Sequence, residues 1–412
     1  MSWNSPAELR DGVVQFLRAR LGNVRAFRQL SWRVGGTLHH TAPRMLGQSQ
    51  SGRSGQSPLG QLGQSSAADA GWTASPATPW HTGETIPTYP YRDAPFDPLA
   101  LRPSPGVANP ILTARDVTDF GRAGGVADPF LFVTSAGEWH MFFEVFNRDA
   151  DPTAVIGHAT SPDGGSAWEY DRVVLGTDVH LSFPYVFKWD GTHYLVPDPW
   201  DKGSGTADIR LYEAREFPYD WTEAATILSL DDAVSDTVVF RWDDRWWAVA
   251  GDERDLYAFH SPTLRADDWE PHAGNPVVRD RPRAARPGGR PIVCEDRIVL
   301  FVQECISGYG EQVRAFEITA LSPERYADAE LDSSPTVRAD DSSVGWNSGK
   351  MHHVDPWFDG ERWRCAVDGN IGLGRSVFGH NWSIGMYESA ASVPQSPESR
   401  EETNRLSPDS LR

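Results

Sequence analysis

The chain is poor in lysine and cysteine and has no long hydrophobic run. Arginines make up 35 of the 38 basic side chains, and 57 acidic side chains leave a net charge of -19. This balance argues against a nucleic-acid partner, because phosphate binding needs clustered cations. An acidic, arginine-rich composition is typical of a salt-adapted, halophilic source. The three cysteines are too scattered for a disulfide framework or a structural zinc site.

No stretch approaches the ~18 consecutive apolar residues of a transmembrane helix. The N-terminal residues carry arginines but lack the apolar core and cleavage site of a signal peptide. We therefore expect a soluble, cytoplasmic protein with no transmembrane segment.

The two ends of the chain differ in composition from its middle. Residues 1–100 predict an N-terminal extension with a short amphipathic helix at about 6–21 and a Gly/Ser/Gln linker at 47–66. Docking of that helix on its own domain and contact with a membrane or partner are both open interpretations. Residues 392–412 are rich in Ser, Pro and Glu and predict a disordered tail.

Between these ends, an aromatic-rich hairpin recurs five times. Its polar turns begin at Ala136, Asp190, Asp243, Glu295 and Asp359, at spacings of 54, 53, 52 and 64 residues. A third strand and a loop ending in an aromatic residue follow in the first four repeats. Four short strands per repeat predict an all-β, five-bladed β-propeller over residues 105–390.

The fifth repeat runs into the polar tail before a fourth strand can form. The segment 109–112, Asn-Pro-Ile-Leu, echoes the segment 275–278, Asn-Pro-Val-Val, which enters the fourth strand of the third repeat. We therefore expect the start of the domain to supply the missing strand and close the ring.

Polar residues interrupt the strands that would line the central channel. Asp128 and Asp236 begin first strands at matching positions, and Arg286, Arg290, His352, His353 and Asp355 occupy the corresponding places in the last two repeats. The second strands add Glu144, Asp198 and Glu304, and Tyr309 follows Glu304. Several acids within apolar strands indicate a ligand site, since burying an unpartnered carboxylate is costly.

Two interpretations of these acids remain. Paired carboxyl groups suit glycoside chemistry, in which one donates a proton and the other activates water or attacks carbon. Alternatively, the acids pair with Arg286 and Arg290 to hold the blades together. No cofactor is required, and adjacent His352 and His353 point to opposite faces of a strand; if the channel held an ion, its oxygen donors would favour Ca²⁺.

Several motifs carry a family resemblance. The run Ala127 to Phe132 resembles the first-blade signature of the five-bladed glycoside hydrolases such as family 43. The strings 181–187, 210–214, 269–272, 285–291, 303–310 and 346–355 resemble the N-terminal domain of plant glucosamine inositolphosphorylceramide transferases. The resemblance implies a propeller that binds or acts on a glycan or glycoconjugate.

The hydrolase resemblance implies Asp128 as catalytic base or nucleophile. Asp236 and Glu144 are then the candidates for general acid, and Asp198, Arg286, Arg290, Glu304, Tyr309, His352, His353 and Asp355 are candidates for substrate binding. Asp236 stands where a hydrolase would carry glutamate. The alternative prediction is therefore a non-catalytic carbohydrate-binding domain that works with a separate glycosyltransferase.

Overall fold

The computed structural model is an all-β, five-bladed propeller. It describes residues 88–89, 101–200, 205–231, 233–265, 269–294, 297–342, 345–359, 362–371 and 382–390. The predicted helix at 6–21, the linker at 47–66 and the tail at 392–412 lie outside these residues.

Each blade is an antiparallel sheet, with the first strand at the channel and the last at the rim. Blade 1 contains β3 (Gly125–Val133), β4 (Trp139–Phe146), β5 (Ala154–Ser161) and β6 (Glu169–Leu175). Blade 2 contains β7 (His180–Trp189), β8 (Thr192–Trp200), β9 (Thr206–Glu216) and β10 (Asp220–Asp231). Blade 3 contains β11 (Ser235–Trp242), β12 (Arg245–Gly251), β13 (Leu256–Ser261) and β14 (Glu270–Pro271).

Blade 4 has a broken first strand, made of β15 (Arg286–Pro287) and β16 (Ile292–Cys294), which both pair with β17 (Ile298–Gln303). It continues with β18 (Gln312–Ser322), β19 (Arg325–Glu330) and β20 (Val337–Arg338). The short β1 (Thr88–Tyr89) pairs in parallel with β16. Blade 5 contains β21 (Val354–Phe358), β22 (Arg362–Asn370), β23 (Trp382–Ala390) and β2 (Arg102–Pro103).

Burial follows from position within a blade. All nine residues of β3 are buried, because this strand has neighbouring blades on both sides, whereas β6 at the rim has only one buried residue. Inner strands are consequently near-continuous apolar runs, and a polar residue within one of them stands out. Among the described residues, no helix is long and apolar enough to cross a membrane.

The ring closes through the start of the domain, as predicted. The fourth strand of blade 5 is β2, in which Arg102 pairs with Glu388 and Pro103 with Tyr387. The segment 109–112 contributes an isolated bridge between Leu112 and Ile384 rather than the strand itself. The predicted strand thus lies a few residues earlier than the sequence echo indicated.

The Asn-Pro echo has a physical cause. The Asn109 side chain donates to the carbonyl of Met386 at 3.0 Å and accepts from its amide at 2.8 Å. Asn275 does the same to Ala258 in blade 3, at 2.7 and 2.9 Å. In both blades an asparagine side-chain amide therefore bonds the backbone N–H and C=O of one residue in the third strand, where the strand ladder ends.

A buried arginine joins four blades at the centre. From blade 4, Arg290 donates to Asp355 Oδ1 in blade 5 at 2.7 Å, to the Val186 carbonyl in blade 2 at 2.8 Å and to the Leu131 carbonyl in blade 1 at 3.0 Å. The other Asp355 oxygen accepts from the Leu131 amide at 2.6 Å. Both charged side chains are almost wholly buried, so we call this arrangement the Arg290 clamp.

Glycine is required beside the clamp. Gly289 has a φ of 144°, and a Cβ placed there would lie 1.7 Å from the Val354 carbonyl oxygen of blade 5. The neighbouring Gly288 carbonyl accepts from the Val354 amide at 2.8 Å. The Gly-Gly-Arg run thus lets blade 4 approach blade 5 closely enough for Arg290 to reach Asp355.

The clamp predicts a large effect of one isosteric substitution. Asp355→Asn leaves a permanently charged guanidinium buried without its counter-charge, so we expect a loss of about 3–5 kcal/mol in the free energy of unfolding. The measurement is the urea midpoint at unchanged m-value. Asp280→Asn, which breaks the exposed Arg254–Asp280 pair, is the control and should cost less than ~1 kcal/mol. Equal losses in the two variants would contradict the clamp.

Candidate functional site

A backbone bulge recurs in the first strands of blades 1 to 3. The register of each strand with its neighbour shifts at Asp128, Phe183 and Asp236, and their φ angles are 52°, 46° and 62°. A bulged residue in this left-handed region is turned away from the pleat. Asp128 and Asp236, which the sequence placed at matching positions, therefore both occupy a left-handed bulge. The equivalent bulge in blade 2 is occupied by Phe183.

The second strands bring further polar groups to the same level. Glu144 and Asp198 pair with the residues just before the bulges in blades 1 and 2. In blade 4 the equivalent position, opposite Arg286, is Gln303. Its Nε2 donates to Asp236 Oδ2 at 2.7 Å.

Glu304 is one residue away from the channel-facing position. Its carboxylate accepts from Gln312 at 2.8 Å and from Arg314, both on the neighbouring strand β18. Because adjacent residues of a strand point to opposite faces, Gln303 takes the place that the sequence assigned to Glu304.

Asp236 is fully engaged by fixed donors. Arg286 donates to both of its carboxylate oxygens, one of them at 3.0 Å, and Gln303 adds a third bond. The Asp236 amide donates to Asp198 Oδ1 at 3.0 Å. The Arg286 guanidinium also lies over the Tyr309 ring, 4.8 Å from its centroid. This corner of the site is an ordered hydrogen-bond network rather than a free acid.

Asp128 is in a different electrostatic environment. Burial raises its pKa well above the ordinary value, and the nearby carboxylates of Glu144, Asp236 and Asp368 raise it further. A raised pKa extends the pH range over which this carboxyl group is protonated. The group therefore suits proton or hydrogen-bond donation, whereas the base role implied by the hydrolase resemblance requires the ionised form.

Asp368 on β22 organises the blade 5 side of the site. It accepts from the amides of Asp128, His352 and His353, each at 3.1 Å, and its Oδ2 lies 2.7 Å from His352 Nδ1. Burial opposes ionisation of Asp368, but His352 holds its pKa below the ordinary value. The sequence carried a signal for this residue, an acid at the end of the apolar run Cys365-Ala366-Val367.

The two histidines have different surroundings. His352 stacks on Trp382 with ring centroids 4.1 Å apart and meets Tyr309 edge-on at 5.1 Å. His353 is fully buried against the rings of Phe130 and Phe183, and burial lowers its pKa to about 3, so it is neutral. Both rings nevertheless approach one oxygen, because His352 Nε2 lies 3.7 Å and His353 Nδ1 3.8 Å from Asp128 Oδ1. The opposite orientation expected from strand geometry is therefore wrong, since both residues precede β21.

One group of described residues could converge on a metal ion. Candidate ligand atoms of Asp128, His352 and Asp368 lie within 4.8 Å of one another. Ca²⁺ takes six to eight oxygen ligands, and this group offers two carboxylates and an imidazole that already contacts Asp368. The donor set does not match Ca²⁺, and the contacts within it are those of a hydrogen-bond network.

The remaining predicted residues lie on either side of this cluster. Glu144 Oε1 is 3.3 Å from His180 Nε2, and its side chain keeps 15% exposure. Arg290 and Asp355 contact backbone groups three residues farther along the first strands from the bulges. Their polar atoms bond to each other and to backbone groups in the Arg290 clamp. The structure therefore does not place them beside Asp128, His352 and Asp368.

Comparisons with known proteins agree with this fold. A family model described as glucosamine inositolphosphorylceramide transferase 1, N-terminal, matches residues 101–370. The protein of that name from Oryza sativa subsp. japonica is 31% identical over 295 residues, covering 66% of this chain and 38% of the rice protein. The chain therefore spans well under half of that relative.

The solved structures that resemble the chain are glycoside hydrolases. A glycosyl hydrolase from Bacteroides ovatus has a TM-score of 0.53 at 14% identity, covering 72% of this chain and 95% of that one. A thermostable family-43 glycoside hydrolase has a TM-score of 0.49 at 13% identity, covering 70% and 98%. At such identities the likeness concerns the fold alone. The Bacteroides ovatus structure agrees with the predicted propeller, which the strand order of the five sheets confirms.

The raised pKa of Asp128 predicts a pH-dependent stability change. Between its unfolded pKa of about 3.9 and its higher folded pKa, the folded state holds more protons, so this group's contribution to stability falls as pH rises. Asp128→Asn removes that loss. Above about pH 4, the free energy of unfolding of the variant minus that of wild type should increase by up to about 1.4 kcal/mol per pH unit.

Asp190→Asn is the matched control, because Asp190 is exposed and has a similar φ of 48°. Denaturant titrations from pH 4 to pH 8 measure both variants. If the two show the same pH dependence, Asp128 ionises as freely as a surface aspartate.

Proposed function

The chain belongs to the family of glucosamine inositolphosphorylceramide transferase 1 N-terminal domains, and from this membership we propose that its channel binds a sugar or sugar conjugate. The fold supports a glycan-related protein at the coarse level. Asp128 is the central contact in this proposal, donating a hydrogen bond to a sugar oxygen.

The observation that carries the proposal is the state of Asp128. Its side chain is almost wholly buried, its backbone is left-handed, and three other carboxylates raise its pKa. Among the described residues no arginine or lysine forms an ion pair with it. Two imidazoles lie near its carboxylate, with His352 Nε2 3.7 Å and His353 Nδ1 3.8 Å from Oδ1, and Arg286 only partly offsets the effect of the acids on its pKa. A left-handed backbone and neighbouring like charges cost stability, and proteins retain such features mainly where function requires them.

The neighbours of Asp128 supply complementary polar groups. Glu144 and His180 form a partly exposed acceptor and donor pair on one side. Tyr309, held over Arg286, lies on the other side. A few fixed polar groups among aromatic rings are what a sugar needs, since its hydroxyls take directed hydrogen bonds and its ring faces are apolar.

The proposal predicts that Asp128→Asn weakens sugar binding without unfolding the protein. Asparagine keeps the size of the side chain but replaces the carboxyl O–H with an amide N–H, which is a weaker donor. Calorimetric titration with methyl glucosaminide and methyl glucoside should therefore show about a fivefold loss of affinity. Asp190→Asn should bind as wild type does. Wild-type affinity in Asp128→Asn would argue against the channel site.

Glycoside hydrolysis is the second candidate, favoured by one contrast. Asp128 is buried and has a raised pKa, whereas Glu144 is partly exposed beside His180. Two carboxyl groups with different environments can divide acid and base roles. In that reaction the glycosidic oxygen would take the Asp128 proton as its bond to the anomeric carbon breaks, while Glu144 accepts a proton from the attacking water.

Product analysis separates the two candidates. The protein is incubated with glycans and glycolipids carrying glucosamine, and mass spectrometry follows the products beside Asp128→Asn and Asp190→Asn. An enzyme should release a sugar that only Asp128→Asn fails to release. Saturable binding with no product leaves a binding domain that works with a separate glycosyltransferase.

A further inference from the structure

Resting on this proposed function, we infer that Trp200 forms a second sugar subsite at the mouth of the channel, beside Glu144 and His180. Trp200 is the last residue of β8 and is 38% exposed. A large aromatic ring kept partly in water is a common feature of recognition sites.

The position of Trp200 places it at the mouth. The strand β8 runs antiparallel to β7, so its last residues lie level with the start of β7, before the bulge at Phe183. Trp200 pairs with His180 at the terminal position of the β7–β8 ladder. It lies two residues, or about 7 Å, beyond Asp198, whose carboxylate accepts from the Asp236 amide inside the cluster.

A continuous set of side chains connects Trp200 with the channel. The His180 and Trp200 rings meet at 89° with centroids 5.5 Å apart, so His180 contacts the indole without stacking on it. His180 Nε2 lies 3.3 Å from Glu144 Oε1, and its Nδ1 lies 3.0 Å from Thr153 Oγ1. Glu144 is close enough to Asp128 to raise its pKa.

This arrangement suits a sugar chain of at least two rings. The first ring would meet the carboxyl cluster around Asp128. The next ring would lie against the indole, which offers a broad apolar surface, while His180 and Glu144 bond its hydroxyls. Trp200 therefore contributes to the binding of disaccharides and longer conjugates, and not to the binding of a single ring.

The test compares one-ring and two-ring probes by calorimetry. Methyl glucoside and methyl glucosaminide are the one-ring probes, and cellobiose and the β-1,4 dimer of glucosamine are the two-ring probes. Wild type should bind the dimers about tenfold more tightly than the monomers. Trp200→Ala should abolish that advantage and leave monomer affinity unchanged, and Trp200→Phe should keep part of it.

Two controls separate the possible failures. Tyr219→Ala removes another exposed aromatic, 43% exposed at the turn between β9 and β10, and should change neither affinity. Asp128→Asn should weaken monomers and dimers alike. An unchanged dimer advantage in Trp200→Ala would overturn the subsite while leaving sugar binding intact, whereas no binding of any probe to wild type would overturn the proposed function and the subsite with it.

Discussion

The Arg290 guanidinium holds the centre of the propeller, and the rest of the structure depends on it. A charge removed from water costs several kcal/mol unless its donors find partners. Arg290 finds them in Asp355 and in the carbonyls of Leu131 and Val186, which belong to three other blades. These bonds exist together only when the ring is closed and the blades stand in the correct order. The clamp therefore couples the stability of blades 1, 2, 4 and 5 to the closure of the ring.

The candidate site depends on this rigidity. The bulges at Asp128 and Asp236 lie only a few residues from the clamp contacts on the same channel-lining strands and neighbouring blades, and they aim carboxyl groups into one small volume. Like charges there would push the strands apart without a fixed frame. Asp236 forms an ion pair with Arg286, while burial and neighbouring carboxylates raise the pKa of Asp128. The clamp and the core stabilise the fold. Part of that free energy is offset at the site, where neighbouring carboxyl groups and left-handed residues are unfavourable.

Features that repeat along the chain were predictable from the sequence, whereas the face to which a single strand residue points was not. The five turns and the matching Asp128 and Asp236 followed from spacing alone. Glu304 was chosen because it is an acid, yet Gln303 holds the channel position, since one step along a strand reverses its face. Asp368 was overlooked although it is an acid on the second strand of blade 5, as Glu144 and Asp198 are on the second strands of blades 1 and 2.

The sequence by itself determined the number of blades, the origin of the closing strand near the start of the domain and the family. Those properties rest on periodic apolar patterning and on local signals such as Asn-Pro, which each segment carries independently. Only the tertiary structure decided which polar residues join the blades and which meet around Asp128. Arg290 and Arg286 look alike in the sequence, but one bonds backbone groups of distant blades and the other an acid of the cluster. That distinction arises from contacts between residues far apart in the chain, which no local pattern encodes.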